Sequence, residues 1–233
     1  MNDARPMVAV DVGSASVTVV VGVVHDEELT VLGCGQALHD GARKGIISSL
    51  GEVGDAVRTA ADEAETMASF PVEEAVVGVG GWPIQGRRFT ALVPVTGRDQ
   101  TVSEDDRRRS LAACANISIP DDYRVLDIIP CGFAIDGQDG VDNPVGMPGR
   151  RLEASAFVLY TNITHADTVE QCVNRAAVAV RELLYEPLAA ADAVLTEDER
   201  ELGCVLVDIG HASTEWVLFG EGVVLASGAV PVG

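Results

Sequence analysis

The string Asp11-Val-Gly-Ser-Ala-Ser16 returns 197 positions later as Asp208-Ile-Gly-His-Ala-Ser213. That offset is too long for a solenoid repeat and suits two related lobes of one fold. Each copy follows a short apolar run (Val8–Val10, Cys204–Val207) and precedes another (Val17–Val21, Trp216–Phe219). The pattern reads twice as strand, tight turn, strand. In each turn a carboxylate stands two residues before a glycine, followed by small side chains. Backbone N–H groups in such a turn can converge on an anion, and the carboxylate can hold a hydrated cation beside it. Two such hairpins facing each other would grip a polyphosphate from opposite sides. Read singly, each is also compatible with a structural β-turn held by Asx-type hydrogen bonds.

Composition narrows the partners. A net charge of −20 argues against nucleic-acid backbones and anionic membrane surfaces. Among 16 basic residues only Lys44 is a lysine, a bias that either a saline medium or a GC-rich genome would produce. Hydrophobic content of 47% with 4% aromatics predicts a core of Val, Ala, Leu and Ile. Five cysteines (Cys34, Cys114, Cys131, Cys172, Cys204) lack any CxxC spacing, so reduced thiols are expected rather than disulfides or metal sites. Asn116-Ile-Ser118 and Asn162-Ile-Thr164 match the glycosylation pattern by chance on this reading. No run approaches a membrane span and no signal peptide opens the chain, so a soluble, cytoplasmic segment is expected.

Along the chain, β-β-β-α-β is expected over the first 80 residues. Its helix runs Leu50–Ser69, with Val53, Val57, Ala60, Ala61, Ala64 and Met67 on one stripe. The first hairpin turns at Asp26-Glu27. From about Ile84 a compact inserted subdomain follows. It comprises a strand at Arg87–Val95, a helix capped by Ser103, strands at Arg124–Ile129 and Gly132–Ile135, and a turn-rich loop from Asp136 to Gly149. Arg107-Arg-Arg109 is expected to be that helix's solvated face. A strand returns at Glu153–Thr161, and helices follow over Ala166–Ala179 and Pro187–Leu195. Thr196–Glu199 begins an acidic capping stretch, and the second hairpin turns at Glu221-Gly222. The lobe that this hairpin opens has no helices to cover it, so the chain is expected to be part of a longer protein.

These pieces resemble the actin/Hsp70/sugar-kinase superfamily, and within it the bacterial cell-division FtsA family, over essentially the whole chain. Leu38–Gly45, with Gly41 and Lys44-Gly45, resembles the family's "SRG…KG" stretch. Ile135–Arg150 is similar to "IDxQEGIxNPxGMxGxR". Pro187-Leu-Ala-Ala and Val194–Gly203, containing Thr-Glu-Asp-Glu-Arg-Glu-Leu-Gly, carry the rest. The resemblance implies an α/β, actin-like (ribonuclease H-like) first lobe in two parts, 1–83 and 153–202. The small α+β subdomain, 84–152, is inserted between them, and a second lobe is only begun at 203–233. It implies an ATP-binding adaptor that self-assembles and links the FtsZ ring to the cytoplasmic membrane. Later division proteins would be recruited through the 84–152 subdomain. Membrane attachment would use a C-terminal amphipathic helix beyond Gly233, leaving the protein cytoplasmic and peripheral at the division site.

On this resemblance Asp11, Gly13, Ser14, Ala15 and Ser16 form the first phosphate loop, and Asp208, Gly210, His211, Ala212, Ser213 and Thr214 the second. Asp11 and Asp208 would hold Mg through water, beside ATP. Glu186 stands where Hsp70-like relatives place a group near the attacking water, although a glutamate at a helix start has the same appearance. The second loop departs from Asp-Ile-Gly-Gly-Gly-Thr at His211 and Ala212, and Ser16 replaces a lysine common in relatives. These changes put hydrolysis in question, leaving at most a slow ATPase. The alternatives are an Hsp70-like ATPase, a small-molecule kinase of the same superfamily, or a pilus-assembly relative of FtsA.

Overall fold

The structure, a computed structural model, describes residues 5–233 except Glu27, Lys44, Ile117 and Ser118. Three features singled out in the sequence therefore fall partly outside the described residues: the Asp26-Glu27 turn, the motif lysine Lys44 and the Asn116–Ser118 sequon. Chain order begins β1 (Met7–Val12), β2 (Ser16–His25), β3 (Glu28–Leu38), the short pair β4 (Ala42–Arg43) and β5 (Ile46–Ile47), α1 (Leu50–Ala68) and β6 (Glu74–Val79). Alternation of buried residues, Val8 and Val10 on β1 and Val17, Val19 and Val21 on β2, gives these strands one core face. Ser49 caps α1, its side chain accepting from Glu52 N, and Ser69 at φ 50° ends the helix. Val53, Val57, Ala60, Ala61 and Ala64 are buried as expected, whereas Met67, in the last turn, is 62% exposed. The helix lies directly on β3 because Gly33 and Gly35 lack side chains. A Cβ at Gly35 would sit 2.0 Å from Ala60 O, and one at Gly33 2.5 Å from Ala64 O.

The middle of the chain supplies β7 (Gln85–Pro94), α2 (Glu104–Asn116), β8 (Tyr123–Ile135), β9 (Gln138–Val141) and β10 (Arg151–Asn162). These strands form a separate antiparallel sheet in the order β7-β10-β8-β9, with α2 on one face. The strand expected at Glu153–Thr161 forms as β10 and pairs between β7 and β8, not with the first sheet. It is buried on both faces: Ala154, Ala156 and Val158 face the core under α2, while Phe157 and Leu159 enter the first core. The two short strands expected over Arg124–Ile135 are one strand, β8. It is bent by register shifts against β10, with Gly132 at φ 131°. β9 lies inside the expected turn-rich loop. Ser103 caps α2, accepting from Asp106 N at 3.2 Å. The three arginines are not simply solvated: Arg107 pairs with Glu104, Arg108 with Asp105, and Arg109 with the fully buried Asp106.

The chain continues through α3 (Ile163–Arg175), β11 (Ala179–Tyr185), α4 (Glu186–Val194), α5 (Glu197–Leu202), β12 (Cys204–Ile209), β13 (Thr214–Gly220) and β14 (Val223–Val230). Asn162 caps α3 by accepting from Thr164 N, so the second glycosylation-like triplet is a helix start. α3 stops short of the expected Ala179, and Ala177 at φ 63° turns the chain into β11. β11 joins β6, in parallel, at the sheet's far edge, giving the order β11-β6-β1-β2-β3. This strand was not foreseen, because Arg181 and Glu182 interrupt its apolar run. Thr196 and Glu199 form a reciprocal capping box at α5. The second hairpin repeats the first: β12 and β13 are antiparallel, and the turn into β14 holds Glu221 at φ 54°, as Asp26 stands at 49°. The likeness stops at the flanks. β1 has β6 beside it and buries Val8 and Val10, whereas on β12 the equivalent Val205 and Val207 are 53% and 54% exposed.

Candidate functional site

Both repeated turns open into one cavity of about 240 Å³. Asp11, Gly13, Ser14, Ala15 and Ser16 line one side, and Asp208, Gly210, His211 and Ser213 the other. The end of β6 (Gly78–Gly81) and the start of α4 (Glu186) close it, together with Gly45, His165 and Glu215. Of the residues expected there, Ala212 and Thr214 do not line the cavity. Thr214 is the first residue of β13, and its hydroxyl donates to Val232 O at 2.7 Å. The second turn is closed by Gly210 N donating to Ser213 O at 2.9 Å. Neither His211 nor Ala212 stands at positive φ. Both residues therefore carry their Cβ atoms without backbone strain.

Four carboxylates surround this space. Strand register puts Glu215 directly opposite Asp208, as Thr18 stands opposite Asp11. Glu215 is buried, and Gly81 N donates to its Oε1 at 2.6 Å. Its Oε2 and the Oε1 of Glu186 are buried without a hydrogen-bond partner among the described residues. Gly80 makes the pair possible: a Cβ there would lie 2.4 Å from Glu186 Oε2 and 2.7 Å from Glu215 Oε1. Burial, then the charges of Asp11, Glu215 and Asp208, hold the Glu186 carboxyl well above the ordinary range. Burial likewise raises Asp11, helped by Asp208, and raises Glu215 against the opposing Gly81 hydrogen bond. Protonated Glu186 can then donate to Asp11. Burial lowers the His165 imidazole, whose Nε2 lies 3.1 Å from Gly80 O. The Gly80–Gly81 peptide is thus held at both ends, its oxygen by His165 and its N–H by Glu215.

Among the described residues, no lysine or arginine lines this cavity. Two buried carboxylate oxygens without partners, on residues that line the cavity, call for a cation or an ordered water. Among the described residues, no three His, Cys, Asp or Glu side chains converge closely enough to ligate an ion directly. Glu215 and His165 were not picked out from the sequence. Glu215 carries a signal, being the one charge inside the apolar run Trp216–Phe219 and its lead-in, at an inward-facing position. His165 carries none beyond its place near a helix start.

Comparison with known proteins agrees with this architecture. Residues 81–160 match the SHS2 domain inserted in FtsA, which takes in all of β7 and nearly all of β10. The chain is 33% identical to the cell division protein FtsA of Bacillus subtilis over 233 residues, covering all of this chain and 53% of that protein. With FtsA of Pseudomonas aeruginosa identity is 36% over 229 residues, covering 98% and 54%. The chain is of the FtsA type. This FtsA-type chain spans about half the length of the curated relatives it matches. Its fold is actin-like. A PilM-PilN type IV pilus biogenesis complex superposes with a TM-score of 0.63 at 14% identity, covering 97% of this chain and 61% of that one. Ethanolamine utilization protein EutJ from Carboxydothermus hydrogenoformans gives 0.54 at 14%, covering 98% and 53%. Among the described residues no helix is long and apolar enough to cross a membrane.

Proposed function

We propose that this chain binds ATP with Mg in the cavity between the two repeated turns, as the nucleotide-binding part of an FtsA-type adaptor. The observation that carries the reading is that turns 197 residues apart line one cavity. The first turn would offer backbone N–H groups of Ser14–Ser16 to the phosphates, and the second those of His211 and Ser213. Asp11 and Asp208 would hold the ion through its waters, and the ion would offset the charge that the phosphates add to four carboxylates. Glu186 and Glu215, each with an orphan oxygen, can position a water beside the terminal phosphate. In its deprotonated form Glu186 would accept that water's proton. Turnover on this reading is slow. As an FtsA-type protein the full-length molecule would contact FtsZ, self-associate, and meet later division proteins through the inserted subdomain. It would lie at the cytoplasmic membrane of the division site by a C-terminal helix.

The test is a thermal-unfolding titration with ATP in the presence and absence of Mg, followed by co-pelleting of the full-length protein with FtsZ and lipid vesicles. Saturable, Mg-dependent stabilisation of about 2.7 kcal/mol at a hundredfold excess over Kd is expected. No stabilisation by any nucleotide would refute the reading. Rapid ATP turnover stimulated by a small substrate or peptide would favour an enzyme over an adaptor.

A further inference from the structure

We propose that His39 is a positioning residue for the first phosphate loop, turning the Ser14 N–H toward the cavity. The inference deepens the nucleotide reading and rests on it for its functional consequence. His39 follows β3 and does not line the cavity, yet it holds the loop at two points. Its backbone N–H donates to Ala15 O at 3.0 Å, and its Nε2 lies 3.1 Å from Gly13 O. The tautomer follows from the other ring nitrogen: Gly41 N–H donates to Nδ1 at 3.2 Å, so the proton sits on Nε2 and is donated to Gly13 O.

A trans peptide points its C=O and the next N–H in opposite directions. Drawing Gly13 O back onto His39 therefore aims the Ser14 N–H the other way, and Ser14 lines the cavity. The anchor behind His39 is firm. Gly41 O accepts from Ser48 N at 2.8 Å and Ser49 N at 3.0 Å, and Ser49 is the cap of α1. A Cβ on Gly41 would come within 2.9 Å of Val53 Cγ2, so only glycine lets this link lie flat on the helix. The connection from α1 through Gly41 and the imidazole to Gly13 fixes an anion-binding donor before any anion arrives. Preorganisation of this kind raises affinity without adding a contact to the ligand.

The experiment uses the full chain with Mg and a fluorescent mant-ATP probe, comparing wild type with His39→Ala and His39→Gln, and follows Ser14 amide hydrogen exchange without nucleotide. His39→Ala is expected to weaken probe binding by about tenfold, the scale of one lost hydrogen bond. His39→Gln, whose amide N–H can still reach Gly13 O, is expected to restore most of it. Ser14 exchange is expected to rise in His39→Ala alone. If His39→Ala loses its cooperative unfolding transition, His39→Asn, which can keep the Gly41 bond but is too short for Gly13, takes its place. Unchanged affinity in His39→Ala, no rescue by His39→Gln, or unchanged Ser14 exchange would each overturn the proposal. If wild type binds no mant-ATP, the nucleotide reading fails while the exchange comparison still decides whether His39 sets the loop.

Discussion

Glu186→Gln removes one charge from the cavity and keeps the side chain's shape. The Glu186 carboxyl is held well above the ordinary range by burial and by Asp11, Glu215 and Asp208, and its Oε1 has no partner. A raised value in the folded state means that the folded chain binds this proton more tightly than the unfolded chain. Stability from this group is therefore complete below the unfolded carboxyl's value and is lost as pH rises through the folded one. Glutamine donates to Asp11 at every pH, so its advantage should grow with pH. Relieving one unsatisfied buried carboxylate oxygen is worth about 1–3 kcal/mol. At roughly 2–4 °C per kcal/mol for a chain of this size, Tm should rise by about 2–12 °C at pH 8 and by little at pH 4.5. Calorimetry in EDTA without nucleotide measures this directly. A lower Tm for the variant at pH 8, or a gain that shrinks as pH rises, would refute the reasoning.

Asp106 should behave in the opposite sense. Its buried carboxylate accepts from Thr96 N and Oγ1 and from Ser103 N and Oγ, at 2.7–3.0 Å, which with Arg109 holds it well below the usual range. Asp106→Ala strands these donors and should cost about 3–5 kcal/mol in urea unfolding. In wild type this contribution is present above about pH 4, the ordinary Asp value, and fades as pH falls toward the depressed one. Gly35→Ala forces α1 off β3, because the new methyl would stand 2.0 Å from Ala60 O. A loss of about 3 kcal/mol, seen as a lowered midpoint in the same assay, is expected.

Much of the first lobe was legible because its strands are apolar runs bounded by turns and its helix carries a continuous small-residue stripe. β10 was seen as a strand but its sheet was not, since a strand buried on both faces has no alternation to show which layer it joins. β11 was missed because Arg181 and Glu182 sit on a sheet edge, where charges are tolerated and the apolar signal breaks. In the site, the repeat in sequence identified both turns. Glu215 was hidden because its importance comes from register: only the pairing of β12 with β13 sets it across from Asp208. His39 was hidden for a similar reason, since its partners, Gly13 and Ala15, lie on the other side of a two-stranded excursion, β2 and β3. Thr214, by contrast, belonged to the string but is directed away by the period-two geometry of β13.

The central claim is that Asp11 and Asp208, far apart in the chain, serve one bound Mg–nucleotide. Its most direct test is the affinity for Mg·ATP of Asp11→Asn, Asp208→Asn and the double variant, measured by calorimetric titration. Each single change is expected to weaken binding at least about tenfold, and the double change to fall short of the product, because both act on the same ion. Mg-dependent binding that either single variant leaves intact, or losses that simply multiply, would contradict it.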